Sequence, residues 1–103
     1  MGLLSILGIS SGVKDALRKG AVIIDVRTAH EFDQGKIMGS VNIPVDRMSI
    51  NLERMRNMQK PLVICGYSFS DNEKAITILK ANGIKDVYNG GSWTRVLKIT
   101  KSL

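Results

Sequence analysis

The chain has 103 residues, of which 44% are hydrophobic, so it can bury one hydrophobic core and is too short for two. Fifteen Lys and Arg residues against nine Asp and Glu residues give a net charge of +6, which attracts small anions or acidic partners. The basic residues are scattered and are not interleaved with aromatic residues, which argues against nucleic-acid binding. One cysteine excludes an internal disulfide, and one histidine leaves no cluster of metal ligands. We therefore expect a cytoplasmic protein.

The first residues of the chain are apolar, but the segment is far too short to span a membrane. It also lacks the basic flank and the small-residue cleavage site of a secretory signal. We therefore expect no membrane span and a single domain over residues 1–103. The apolar, loosely ordered residues 1–11 are interpreted as a docking segment, a surface-lying end or the remnant of a targeting region.

Helical and strand patterns alternate along the chain. The elements predicted in chain order are a helix at 13–19 ended by Gly20, a strand at 21–26, a helical turn around 31–32 closed by Gly35, a strand at 40–43 stopped by Pro44, one or two short helices within 46–58, a strand at 62–65, a helix at 71–81, a strand at 86–88, and a helix at 93–100 capped by Ser92. The continuous apolar run at 21–26 is typical of a strand covered on both faces. Strands separated by helices indicate an α/β fold, with a central parallel sheet of about four to five strands and helices on both faces.

The helix at 71–81 has the clearest pattern. Its apolar residues Ala75, Ile76, Ile78 and Leu79 share one face, and Asn82-Gly83 ends the repeat. The preceding Ser70 and the later Glu73 fit a capping box, in which each side chain accepts a hydrogen bond from the other residue's backbone N–H.

Cys65 lies where the third buried strand meets a small polar loop that opens this helix. The free N–H groups at a helix N-terminus favour an anion such as a thiolate or persulfide. In parallel sheets the ligand site lies beyond the carboxyl ends of the strands, where Cys65 is expected. A lone cysteine is also often a small buried hydrophobe. The candidate nucleophile is Cys65, and the candidate substrate-binding residues are Gly66, Tyr67, Ser68, Phe69 and Ser70.

Four separated segments, in this order, resemble the single-domain rhodaneses, a family of sulfurtransferases. They are Asp25-Val26-Arg27 with Glu31-Phe32, residues 35–44, Cys65 with its loop, and residues 87–93. In the second segment, Lys36 stands where the family usually has histidine, and Met38 where it has proline. The resemblance implies the rhodanese-like fold over the whole domain.

The resemblance also implies sulfur transfer in two steps. A Cys65 thiolate would attack the outer sulfur of thiosulfate or a related small anionic donor, release sulfite and retain a persulfide. Cyanide, a thiol or a protein acceptor would then remove that sulfur. No metal or organic cofactor is needed, and the loop amides would stabilise the persulfide.

Other residues of these segments have structural explanations. Asp25 and Arg27 are interpreted as a scaffold pair at a strand end. Phe32 and Ile37 are interpreted as core residues, and His30 as a surface residue. Trp93 is interpreted as a core residue or as a wall of the site. Gly39, Gly90 and Gly91 are interpreted as positions of positive φ or of close approach between chain segments.

Two alternatives to a sulfurtransferase remain open. The loop has Ser68 where active family members often have glycine, and it carries no basic residue, so the protein is alternatively a persulfide carrier or a rhodanese-like binding module with little turnover. In the dual-specificity phosphatases that resemble this fold, an arginine ends the loop and grips phosphate. Here Asp71 has that position, which disfavours phosphate chemistry. We expect Asp71 to raise the pKa of Cys65.

Overall fold

The computed structural model describes residues 9–103, with side chains from Gly12 onward. Residues 1–8 of the expected N-terminal segment lie outside this range. The elements in chain order are α1 (Ile9–Arg18), β1 (Val22–Asp25), α2 (Ala29–Gln34), β2 (Val41–Asn42), two 3-10 helices (Val45–Arg47 and Ser49–Asn51), α3 (Leu52–Arg56), β3 (Leu62–Gly66), α4 (Phe69–Ala81), β4 (Val87–Ser92) and α5 (Trp93–Lys101). None of the helices in residues 9–103 has the length and apolar character needed to cross a membrane.

The four strands form one parallel sheet in the order β2-β1-β3-β4, which confirms the predicted α/β class. In the register of the two central strands, Ile24 lies beside Ile64 and Asp25 lies beside Cys65. Gly90 is skipped in the pairing of β3 with β4, so Cys65 lies beside Gly91. Because all four strands run in the same direction, their carboxyl ends meet at one edge of the sheet.

Two hydrophobic clusters cover the two faces of the sheet. Because side chains alternate along a strand, Leu62 and Ile64 of β3 pack on one face and Val63 and Cys65 on the other. The first face, here called the α3/α4 face, is covered by Met55, Ala75, Ile76 and Leu79. The second, the α1/α5 face, is covered by Val13, Ala16 and Val96. Both sets of helices thus contribute apolar side chains to a core, as the continuous apolar strands predicted.

The start of α4 differs from the prediction. Ser68, and not Ser70, is the N-cap, because its extended backbone (φ −155°, ψ 167°) precedes the first helical residue and its hydroxyl accepts a hydrogen bond from the Asp71 N–H. The predicted capping box at Ser70 is therefore wrong. Glu73 instead accepts a hydrogen bond from the Asn89 side chain at 2.8 Å.

The other boundaries agree with the prediction to within a few residues. The α1 helix begins at Ile9, four residues earlier than expected, and β4 extends to Ser92, which caps α5 through the Arg95 N–H. Gly91 has a φ of +78°, and a Cβ on Gly90 would lie 2.6 Å from Val96 Cγ2. Gly91 therefore has the predicted positive φ, and Gly90 lies at the predicted close approach.

Two predicted core residues have different outcomes. Ile37 is buried in the α1/α5 cluster, as predicted. Phe32 is only half-buried and belongs to neither cluster, because it lies on the short α2 helix outside the sheet. His30 is exposed on the same helix, as predicted.

Candidate functional site

A cavity of about 440 Å³ opens at the carboxyl edge of the sheet, where the sequence predicted a site. Its walls come from the segments that follow β1 and β2, from the end of β3 and from the first turns of α4. The lining residues are Val26, Arg27, Thr28, Glu31, Pro44, Val45, Asp46, Gly66, Tyr67, Asp71 and Lys74.

Cys65 does not line this cavity. Its side chain is fully buried in the cluster on the α1/α5 face. In the sheet, Cys65 lies beside Asp25 of β1. Burial raises the pKa of Cys65 above its ordinary value of 9.0, and the charge of Asp25 raises it further, against a smaller opposing effect of Arg27. Burial and Asp25 both disfavour the thiolate at this position, and the expected effect of Asp71 on the pKa of Cys65 stays a prediction.

The loop after Cys65 is divided between the cavity and the helix. Gly66 and Tyr67 line the cavity, and 56% of Tyr67 is exposed. Ser68 is used as the cap of α4, and the Phe69 ring packs over Gly91. Ser70 is exposed in the first turn of α4 and is not part of the lining. Of the six residues predicted to form the site, the fold brings two to the cavity.

Arg27 lines the cavity and also forms a buried ion pair with Asp25. Its Nε donates to Asp25 Oδ1 at 3.0 Å and its Nη2 to Asp25 Oδ2 at 2.8 Å, and both side chains are buried. The guanidinium also donates to the carbonyls of Glu31 and Gly35 and lies 4.4 Å from the centre of the Trp93 ring. Burial favours loss of its proton, but the hydrogen bond and charge of Asp25 outweigh this and raise the pKa of Arg27.

The predicted scaffold role of this pair is confirmed, since one buried side chain ties the end of β1 to α2 and to the start of α5. Trp93, predicted as core or wall, packs against the α1/α5 cluster and under Arg27. The sequence reasoning missed that Arg27 itself lines the cavity.

Asn72 of α4 is fully buried and does not line the cavity. Its Nδ2 has three acceptors, which are the carbonyls of Ile64 and Gly91 and the Asn89 Oδ1. Its Oδ1 has no hydrogen-bond partner in the described structure and lies 2.7 Å from the position that a Cβ of Gly66 would occupy. A buried acceptor without a donor therefore lies against Gly66.

The sequence reasoning also missed three charged lining residues, which are Glu31, Asp46 and Lys74. Glu31 closes a capping box with Thr28, in which the Glu31 carboxylate accepts from the Thr28 N–H and the Glu31 N–H donates to the Thr28 hydroxyl oxygen. Hydrogen bonding to Thr28 lowers the pKa of Glu31. The Glu31 carboxylate in turn raises the pKa of Tyr67. A signal was present, because Glu31 and Asp46 each follow a strand that ends at the predicted edge.

Comparison with known proteins identifies the family. The profile of the Rhodanese-like domain matches residues 11–95. The "Uncharacterized protein YqhL" of Bacillus subtilis (strain 168) is 33% identical over 85 residues, which cover 79% of this chain and 67% of that protein. The "Thiosulfate sulfurtransferase GlpE" of Pseudomonas syringae pv. syringae (strain B728a) is 37% identical over 76 residues, covering 72% of this chain and 70% of its own.

The fold is also found in solved structures. The crystal structure of a rhodanese-like domain protein from Staphylococcus aureus superposes with a TM-score of 0.70 at 29% identity, and the match covers 84% of this chain and 86% of that one. The chain therefore belongs to the rhodanese-like domain family, and proteins named thiosulfate sulfurtransferase are among its relatives.

Proposed function

We propose that this rhodanese-like domain is a binding module that uses its cavity to hold a ligand and has little or no sulfurtransferase turnover. One observation carries the proposal: the only thiol of the chain packs on the α1/α5 face, while the cavity at the carboxyl edge is lined by its neighbour Gly66.

The chemistry of sulfur transfer supports this choice. The attacking group is a thiolate that must reach the outer sulfur of the donor. The Cys65 side chain has no exposed surface, and its burial raises its pKa and so disfavours the thiolate. An anionic donor would in addition meet Asp71 at the cavity wall.

Sulfur transfer through Cys65 is the second candidate, and the names of the Pseudomonas relatives favour it. In that reaction the Cys65 sulfur would bond to the outer sulfur of thiosulfate while the sulfur–sulfur bond of the donor breaks, and sulfite would leave with the electron pair. Cyanide would then take the outer sulfur as thiocyanate and restore the thiolate. A persulfide carrier would perform the first half of this reaction and deliver the sulfur to a thiol or a protein.

The test is thiocyanate formation from thiosulfate and cyanide, measured for the wild type and for Cys65→Ala beside a rhodanese of known activity. We expect both proteins to match the uncatalysed rate. A wild-type rate that Cys65→Ala abolishes would overturn the binding-module proposal and establish the second candidate.

A further inference from the structure

A smaller cavity of about 250 Å³ lies at the amino edge of the sheet, at the end of the strands opposite the cavity described above. Its walls come from the end of α3 and from the segments that lead into β3 and β4. These segments are joined through the backbone, because the Leu62 N–H donates to the Asp86 carbonyl and the Val22 N–H to the Pro61 carbonyl. The cavity is thus built on the same sheet as the first one.

Three cations and one carboxylate line this smaller cavity. The cations are Arg56, Lys60 and Lys85, and the carboxylate is Asp86. Arg56 pairs with Glu53. Among the described residues, the exposed side chains of Lys60 and Lys85 make no hydrogen bond and no ion pair. Each ammonium group therefore keeps all three of its N–H donors for a ligand.

The positive charge continues around this cavity. Lys60 Nζ lies 3.6 Å from the position that a Cβ on Gly20 would occupy, and Gly20 follows directly on Arg18 and Lys19 at the end of α1. Of these, Arg18 pairs with Asp15 at 3.7 Å. The exposed cations at this end of the sheet are here called the basic edge, which consists of Arg18, Lys19, Arg56, Lys60, Lys80 and Lys85.

Helix dipoles explain only part of the basic edge. A cation in the last turn of a helix complements the negative end of the helix dipole, and Arg18, Arg56 and Lys80 have this position in α1, α3 and α4. Lys60 and Lys85 belong to no helix. Like charges that lie close together repel each other, so these two cations are not needed for the fold. They fit a surface that meets negative charge.

The floor of the smaller cavity is apolar. Met55 is buried there, and Pro61 and Ile84 are half-buried. A volume of about 250 Å³ lies below the range of about 300–1,000 Å³ that is usual for small-molecule sites. The cavity therefore suits one side chain of a larger partner better than a free ligand.

The surroundings favour a protein partner over a membrane or a nucleic acid. Helices that lie on a bilayer insert exposed apolar side chains into it, and single-stranded nucleic acids stack on aromatic rings. In the described part of the chain, none of the exposed large apolar residues lines this cavity; they are Met38, Ile50, Tyr67, Phe69 and Leu103. Exposed cations around a small apolar floor instead match an acidic peptide segment with one apolar side chain.

We propose that the basic edge docks an acidic segment of a partner protein, whose carboxylates pair with Lys60 and Lys85 and whose apolar side chain enters the cavity that they line. This inference goes beyond the binding role proposed above and does not depend on it. The length of β3 separates the two cavities, so both can be occupied at once.

The experiment is a titration of the ¹⁵N-labelled protein at low salt, where charge interactions are screened least, followed through its amide chemical shifts. The probes are the blocked peptide EELEE, its uncharged match QQLQQ, the peptide EESEE without an apolar side chain, sodium phosphate, and vesicles containing phosphatidylglycerol. We expect EELEE to shift the Lys60, Gly83 and Lys85 amides to saturation and EESEE to bind several-fold more weakly. The other probes should give no saturable change.

Variants test the two free cations. Lys60→Gln and Lys85→Gln should each weaken EELEE binding by about threefold, as expected for an exposed charge pair. Lys74→Gln removes the same charge near the start of α4, at the opposite edge of the sheet, and should leave the affinity unchanged. All three positions are exposed, and the amide spectrum of each variant reports whether it is folded.

Four results would overturn the inference. They are the absence of saturable shifts with EELEE, equal binding of QQLQQ or EESEE, equal effects of Lys74→Gln and Lys85→Gln, and saturable binding of phosphate or of the vesicles at these same lysines. The test is separate from that of the proposed function, because thiocyanate formation does not involve the basic edge and peptide docking does not involve Cys65.

Discussion

Cys65 and Gly66 are consecutive residues of β3, but the Cys65 side chain packs on the α1/α5 face and Gly66 lines the cavity. The thiol is thereby buried among apolar side chains next to Asp25. Gly66 has no side chain, so its backbone forms the wall of the cavity at this point.

The buried thiol makes the protein less stable in alkaline solution. Because the pKa of Cys65 in the folded protein is raised above 9.0, the unfolded chain loses this proton first as the pH rises. The stabilising contribution is fully present below about pH 9 and is lost above it, at about 1.4 kcal/mol per pH unit. In urea unfolding, the stability advantage of the wild type over Cys65→Ala should shrink by about 1.4 kcal/mol from pH 8 to pH 10.

The tyrosines with raised pKa, Tyr67 and Tyr88, are present in both proteins, so their titration cancels in this comparison. A difference in free energy of unfolding that stays constant across this pH range would mean that Cys65 ionises as easily in the folded protein as in the unfolded chain.

A side chain at Gly66 should destabilise the protein. Its Cβ would lie 2.7 Å from Asn72 Oδ1 and 3.0 Å from Val26 Cγ2, and Asn72 is held by hydrogen bonds to the carbonyls of Ile64 and Gly91. We expect Gly66→Ala to lower the free energy of unfolding by about 1–3 kcal/mol.

The matched control is Gly12→Ala. Among the residues whose side chains the structure describes, a Cβ on Gly12 would meet the Tyr88 ring at 3.5 Å, and alanine favours the helix in which Gly12 lies. This substitution should stabilise the protein by up to about 1 kcal/mol. Equal effects of the two substitutions in urea unfolding would show that Gly66 is not crowded.

The cap of α4 can be located by two serine substitutions. Ser68→Ala removes the hydroxyl that accepts from the Asp71 N–H and should cost about 1 kcal/mol. Ser70→Ala lies in the first turn on an exposed position and should change stability by less than about 0.5 kcal/mol. Thermal or urea unfolding ranks the two, and the reverse order would restore the capping box that the sequence indicated.

The pair of Arg27 and Asp25 should respond to single and double substitution differently. Arg27→Ala leaves the fully buried Asp25 carboxylate without its cation and should cost about 3–5 kcal/mol. The double variant Asp25→Ala/Arg27→Ala removes both charges, so we expect it to cost less than the sum of the two single variants. Additive costs in urea unfolding would mean that the two side chains do not act as a pair.

The sequence predicted the fold well because its strands and helices carry strong periodic signals. The apolar run at 62–65 identified β3, and Ala75, Ile76 and Leu79 identified the buried face of α4. The direction of Cys65 could not be predicted in the same way. A strand that is apolar on both faces contains no alternation, so a shift of one residue between Cys65 and Gly66 is not visible in the pattern.

The cavity itself was predicted in position but not in composition. Glu31, Asp46 and Asp71 come from three separate segments, and the order of strands in the sheet brings them together. The cap of α4 was misplaced for a related reason. Ser68 and Ser70 are both suitable caps, and the choice depends on β3 ending at Gly66.

The most direct test of the central claim is the intact mass of the protein after incubation with thiosulfate and removal of the excess. We predict that the wild type keeps its unmodified mass, as Cys65→Ala must, because the Cys65 thiol is fully buried on the α1/α5 face. A gain of one sulfur atom that appears in the wild type, is removed by cyanide and is absent from Cys65→Ala would contradict the account.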